Sequence, residues 1–407
     1  MSNNLLLGLA VAVILAVVLV ITLARPGRRR DMRGLYTEGL DHLLRGNLQQ
    51  AYQAFKTVIG DDTDNISAYL KMGQALRDAG APQKALKLHE SLLARPSLSS
   101  YERLELYRNL ALDNSAQGDH EKAIKWASAI LKLEKRNLWA LRNLIKFYRD
   151  LGDWESCGKY LLQWQKATGK QDTRLQALCR FRQGYDQRDS AGPETVRGHY
   201  QQALKVDDTF APAHYFLAES YTAEAHQRRQ ELRAGGAGTT KDAAPADDSR
   251  DPLCVERYTQ AVSHWTSFVG LSPQDTYRVL PAVEEALFYL QRFDDLELFL
   301  KQVLEKEPGN PDAVATLANF YVRKGELDRA EGVLGQLPDA DQPAALIQAI
   351  RLKLRYRRDA GDNIMPDLDR LVDSIQLSIS GGSATPPATV SLLSWLEPSG
   401  DPLEALA

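Results

Sequence analysis

Residues 65–96 read NISAYLKMGQALRDAGAPQKALKLHESLLARP, and the spacing within this stretch decides the fold. Tyr69, Met72, Gly73 and Leu76 recur at i, i+3, i+4 and i+7, one stripe of a helix. Gly80 then offers a helix terminus. Ala85, His89 and Leu92 mark a second helical stripe, and Pro96 ends it. Small residues at Gly73 and Ala85 let the two helices approach closely. Such a pair leaves one apolar face uncovered, and only the next pair can cover it.

The same spacing returns along the chain. The unit from Pro311 supplies Leu317, Ala318, Tyr321, Gly325, Leu327, Ala330 and Leu334, and EKEPGNP precedes it. The unit near Met32 has Gly39, Gly46, Leu48, Ala51, Phe55 and Val58. Another, from Leu104, has Tyr107, Leu110, Ala111, Gly118, Ala123 and Ile130; the next, from Leu138, has Leu141, Leu144, Tyr148, Gly152, Trp154 and Cys157. Residues 173–206 are degenerate but helical in pattern. The unit from Ala211 supplies Leu217, Ala218 and Tyr221, breaks, and resumes with Tyr258, Ala261, Trp265, Phe268 and Pro273. A weaker unit near Tyr277 carries Val283, Phe293, Leu296 and Leu300. A period of about 34 with this order of small, bulky, Gly and Pro positions is that of the tetratricopeptide repeat, TPR. The expectation is an all-α TPR superhelical solenoid of seven to eight repeats over residues 26–338.

The break between Tyr221 and Tyr258 reads as an insertion at about 224–254. Its centre, RAGGAGTTKDAAPADDSRDP, is small and polar, so it cannot bury enough surface to offset its ordering entropy, and disorder is expected. Residues 339–380 read as two capping helices, roughly Gln342 to Asp359 and Met365 to Leu377. From residue 381 to 407 the composition is that of a flexible tail.

Ahead of the repeats, Leu5 to Ala24 read LLLGLAVAVILAVVLVITLA without a charge, long enough to cross a hydrocarbon core of about 30 Å. A cleaved signal peptide would carry a positive n-region and a shorter apolar stretch. Residues 1–25 therefore read as one uncleaved transmembrane helix. Arg25, Arg28, Arg29, Arg30 and Arg33 flank it on one side only, which orients the N-terminus outside and the repeats in the cytoplasm. Those arginines also suit anionic headgroups.

The net charge of −3 gives no global signal for nucleic acid. Trp154, Trp164 and Trp265 fall at repeat core positions, not on a base-stacking platform. The three cysteines, Cys157, Cys179 and Cys254, form no C-x-x-C pair and read as buried hydrophobes of a reducing compartment. No phosphate-binding, metalloprotease or nucleophile-elbow motif occurs, and no metal or cofactor is expected. His89 and His214 occupy bulky repeat positions, where packing explains them. A binding protein is the reading; an enzyme with a hidden site would need clustered polar groups that the sequence does not offer.

In a TPR array the inner helix of each repeat carries recognition. Arg77, Arg108, Trp139, Arg142, Lys146 and Arg149 fall on inner-helix positions of three consecutive repeats. Stacking would line them along one concave, unpaired basic wall, suited to an acidic peptide or acidic surface. The bland alternative is a solvated helix face.

One anchor, a juxtamembrane arginine cluster and a long TPR array together resemble the lipopolysaccharide assembly protein B family over about residues 1–380. The more specific part is Tyr36 to Gly152, with YTEGLDHLLRGNLQQAYQAF, then ALKLHESLLARPSLSSYERLELYRNLALDNSAQGDHEKA. The marks there are His89, the spacer containing Leu98, and Glu102 and Arg103 ahead of the next helix. The resemblance implies a bacterial inner-membrane adaptor, single-pass, that presents the deacetylase of lipid A synthesis to a membrane AAA+ protease and tunes lipopolysaccharide output. The family's C-terminal rubredoxin-like zinc module needs two C-x-x-C knuckles; no cysteine follows Cys254 in these residues, so no four-thiolate site is expected. The alternative is a generic membrane-anchored TPR scaffold for another cytoplasmic assembly, such as secretion or motility machinery.

Overall fold

The computed structural model describes residues 32–96, 98–236, 250–337, 345–359, 364–368 and 370–372. The candidate span Leu5 to Ala24, Arg25, Arg28, Arg29, Arg30 and the tail 381–407 lie outside the described residues; Arg33 lies within them. Among the described residues every element is helical, and no helix there is long and apolar enough to cross a membrane.

The chain divides into two compact units, Met1–Ala167 and Thr168–Ala407. In the first, helices pair as α1 (Met32–Leu44) with α2 (Leu48–Asp61), α3 (Ile66–Asp78) with α4 (Pro82–Leu92), and α5 (Ser100–Ala116) with α6 (His120–Leu133). Then come α7 (Leu138–Leu151) and α8 (Trp154–Thr168). Each pair rests on the next, as α2 does on α3, α4 on α5 and α6 on α7. This is the neighbour-to-neighbour burial the repeat spacing demands.

Local signals set the helix ends. Asn65, Asp119 and Asn137 accept backbone N–H groups of Ala68, Lys122 and Ala140, supplying partners for donors that lack one inside the helix. Ser99 and Glu102 form a capping box at the start of α5. The first helix of each pair ends on a glycine of positive φ: Gly46, Gly80, Gly118 and Gly152. These are 34, 38 and 34 residues apart, and the longer interval holds the spacer ahead of Ser99. Where the paired helices cross, small residues meet large ones. A Cβ on Gly39 would stand 2.9 Å from the Phe55 ring, and Phe55 is fully buried. Burying such a ring contributes about 1.5–3 kcal/mol.

The second unit holds α9 (Thr173–Asp186), α10 (Pro193–Val206), α11 (Ala211–Gly236), α12 (Pro252–Leu271), α13 (Thr276–Tyr289), α14 (Phe293–Lys306), α15 (Pro311–Lys324), α16 (Leu327–Leu334) and α17 (Ala345–Arg358). Residues 365–368 and 370–372 are helical, and Arg355 reaches Asp367 there at 2.7 Å. Trp164 and Trp265 are each 3% exposed and Trp154 8%, so all three are core.

The bounds of the insertion need correction. Helix α11 runs through Gly236 and α12 begins at Pro252, so residues 224–236 and 252–254, read from sequence as disordered, are helical. The cause is side-chain anchorage. Arg228 bonds Asp251 at 3.2 Å, Arg229 bonds Tyr258 at 2.9 Å and Glu285 at 2.6 Å, and Ala225 is fully buried. Arg250 reaches the Leu290 carbonyl at 2.8 Å and Gln291 Oε1 at 2.7 Å. Gln291 itself has φ 54°, standing where Gly46, Gly80, Gly118, Gly152 and Gly325 end the first helices of other pairs. Only residues 237–249 of the insertion lie outside the described residues.

Candidate functional site

The six inner-helix residues divide into three groups. Arg77, at the end of α3, is turned into the stack. Its Nη1 donates to Asp113 Oδ1 at 2.8 Å and Asn109 Oδ1 at 3.2 Å, both on α5. Asp113 is fully buried, and its other oxygen accepts from His89 Nδ1 at 2.5 Å. His89 Nε2 faces the Leu70 carbonyl at 3.3 Å. The ring lies against Gly73, where a Cβ would stand 2.2 Å from Nε2. Arg77, Asp113 and His89 thus tie three successive helices together inside the protein.

Arg108 and Trp139 meet. The guanidinium lies over the indole at 5.4 Å, and Glu105 pairs with Arg108 at 2.6 Å. Such a stacked cation contributes about 0.5–1 kcal/mol at exposed sites and rigidifies the aromatic face. Arg142, Lys146 and Arg149 are half-buried along α7, and Arg149 approaches Asp150 at 3.6 Å.

The wall is therefore not unpaired. Arg77, Arg108 and Arg149 each have a carboxylate partner: Asp113 of α5 reaches Arg77 from the next pair, while α5 and α7 carry Glu105 and Asp150 within one helical turn of Arg108 and Arg149. Sequence reasoning missed Asp113. Its signal was an acid following Leu106 and Leu110 on the apolar stripe of α5, where a buried acid requires a partner.

The second unit carries a feature the sequence did not disclose. Alternate helices α13, α15 and α17 line a cavity of about 310 Å³, with Tyr277, Glu284, Asp312, Asn319, Leu346 and Ile350 among its walls. Burial pushes the carboxyls of Asp312 and Glu284 above the usual carboxylate range, Arg323 partly offsetting the latter. Lys353 donates to Asn319 Oδ1 at 2.8 Å, and burial, with Arg323 and Arg357 nearby, holds its ammonium below the usual lysine range. The consensus around Tyr277 is weak, so nothing in that stretch drew attention to it.

His214 and His264 also meet, Nδ1 to Nδ1 at 3.0 Å. Burial lowers both, His264 to about 4, where His214 adds to the effect. Among the described residues no group of three His, Cys, Asp or Glu side chains stands together as a metal site.

Among the described residues each unit is built of helical hairpins of TPR type. The tetratricopeptide repeat family profile matches residues 290–354. Over 120 residues the chain is 25% identical to Lipopolysaccharide assembly protein B of Escherichia coli (strain K12), and equally to that of Escherichia coli O157:H7. The match covers 30% of this chain and 31% of the relative, so the chain spans under a third of the length of these curated relatives. Among solved structures, a crystal structure of MamA protein aligns at TM-score 0.34 and 17% identity, over 44% of this chain and 92% of that one. A tetratricopeptide repeat protein from Parabacteroides merdae ATCC 43184 aligns at TM-score 0.34 and 13% identity, over 81% and 99%.

Proposed function

We propose that this chain is a membrane-anchored adaptor that binds proteins through the inner faces of its hairpins, has no catalytic role, and regulates lipopolysaccharide synthesis. The observation that carries the reading is the joining of a TPR-type stack to a 120-residue similarity with lipopolysaccharide assembly protein B. Its partners are the lipid A deacetylase and a membrane AAA+ protease, brought together at the bacterial inner membrane. Leu5 to Ala24 is the single span, and Arg25, Arg28, Arg29, Arg30 and Arg33 keep the repeats cytoplasmic. Residues 26–338 form the repeat array and 339–380 its cap. In the first unit, Trp139 with Arg108, and Arg142, Lys146 and Arg149 along α7, receive an acidic segment.

Co-purification of the membrane-embedded protein tests this reading. Recovery of the protease and the deacetylase is expected. Recovery of secretion or motility components in their place would favour the generic scaffold. A periplasm-only reporter fused after Pro338 is expected to be silent, and activity there would overturn the orientation.

A further inference from the structure

The cavity between α13, α15 and α17 differs in chemistry from the α7 face. Glu284 comes from α13 and Asp312 from the first turn of α15, and both are half-buried. Neither carboxylate has a hydrogen-bond or ion-pair partner among the described residues. Elsewhere in the same unit a half-buried carboxylate is satisfied differently. Burial opposes Glu297 too, yet hydrogen bonds from Lys301, Tyr321 and Arg329 hold it down to about 2. At Asp312 burial acts alone, and at Glu284 only Arg323 opposes it. Two half-buried acids without a bonded cation are costly to keep charged, and a bound cation would remove that cost.

The rest of the wall suits an extended chain. Leu346 and Ile350 supply an apolar side, and Tyr277 an aromatic one. Asn319 Oδ1 is taken by Lys353, which leaves the amide hydrogens of Asn319 for a peptide carbonyl. A volume of about 310 Å³ has room for one long side chain and its flanking backbone.

We propose that this cavity receives an arginine or lysine side chain from an extended segment of a partner protein, with Glu284 and Asp312 as its counter-charges. The proposal rests on the protein-binding reading above and names the partner chemistry of one site. Residues 373–407 of the chain itself are the wrong occupant: they contain Asp373, Glu397, Asp401 and Glu404 and no Lys, Arg or His. An acidic segment for α7 and a basic one here would let a single adaptor hold two chemically distinct ligands.

The test uses the full chain in detergent and a fluorescein-labelled peptide, Ala-Arg-Ala-Arg-Ala, carrying a photo-crosslinker. The same peptide with Glu for Arg is the counter-probe. Glu284→Gln with Asp312→Asn is compared with a charge-matched control, Asp189→Asn with Glu194→Gln, both exposed acids of the same unit remote from the cavity lining. Circular dichroism establishes that both variants fold. The expected result is tenfold or greater weakening in the cavity variant, less than twofold in the control, and crosslinks within residues 276–358. No binding by the unaltered protein, equal weakening in both variants, crosslinks confined to other residues, or preference for the Glu peptide would each overturn the proposal. Co-purification of the protease and deacetylase is a separate readout, so failure here leaves the adaptor reading standing, and failure there leaves this result interpretable.

Discussion

His89 and Asp113 meet at 2.5 Å with neither side chain exposed, across 24 residues of sequence. Arg77 occupies the second oxygen of the same carboxylate. Deleting one member of a buried ionic cluster strands the others, at a cost of about 3–5 kcal/mol. Asp113→Ala is expected to lower unfolding stability by that amount in urea titrations. Gly73→Ala should also destabilise, by about 1–3 kcal/mol, because the His89 ring is pinned and cannot retreat from the new Cβ. A loss below about 1 kcal/mol for Asp113→Ala would show that the cluster is energetically idle.

The insertion has two parts with different expected behaviour. Replacing residues 237–249 by a short turn should leave helix content and melting temperature nearly unchanged, and limited proteolysis should cut there first. Excising 224–254 removes the Arg228–Asp251 and Arg229–Glu285 pairs and the buried Ala225, and should destabilise measurably. Equal melting temperatures for the two deletions would refute the anchorage described above.

Gln291 tests a local trade. A non-glycine residue at positive φ costs about 1 kcal/mol, but its side chain holds Arg250. With Arg250→Ala already in place, Gln291→Gly should stabilise by about 1 kcal/mol; in the natural background the gain should shrink. A double-mutant cycle in urea reads the coupling directly, and purely additive effects would deny it.

Stability should fall in mild acid through His264. Burial holds its folded pKa near 4, while the unfolded imidazole titrates near 6.5. The folded state therefore binds fewer protons than the unfolded state between these values. Its contribution is complete above about pH 6.5 and is lost as pH falls towards about 4. The ring keeps part of its surface in water, so the loss is about 1–2 kcal/mol after solvent screening. Melting curves of His264→Phe should lose this component while retaining the acid sensitivity of the carboxylates. An unchanged pH profile would argue against it.

On α7, reversing Arg142 and Arg149 to Glu should weaken partner capture about tenfold, roughly 1.4 kcal/mol. Trp139→Ala should do the same by removing the apolar anchor that Arg108 stacks upon. Undiminished capture at low salt by folded variants would leave these residues as a solvated face.

The hairpin rhythm was legible because its causes are local. In the first unit a glycine of positive φ ends the first helix of each pair, Gly39 and Gly73 sit where paired helices cross, and Asn65, Asp119 and Asn137 cap helix starts, all within one repeat. The candidate groove was legible only in part, because a side chain's partner is a matter of neighbouring helices. Arg77 and Arg149 have the same helical phase, yet Arg77 is drawn inward by Asp113 of the next pair. The length of α11 was misjudged for the same reason. Its last turns are polar in sequence, and what orders them is Asp251, Tyr258 and Glu285, remote in the chain. The cavity of the second unit escaped notice because Glu284 and Asp312 belong to different repeats, and neither is unusual within its own.

The order in which a ribosome delivers the chain gives the His89–Asp113 bond a temporal meaning. Helices α3 and α4 are delivered ahead of Asp113. At about 5–20 residues per second, the 24 intervening residues take about 1–5 s. For that interval the nascent hairpin must hold His89 against Gly73 with its Nδ1 lacking the carboxylate. The hairpin from Ile66 to Leu92 is thus a late finisher despite its early synthesis, incomplete until α5 closes over it.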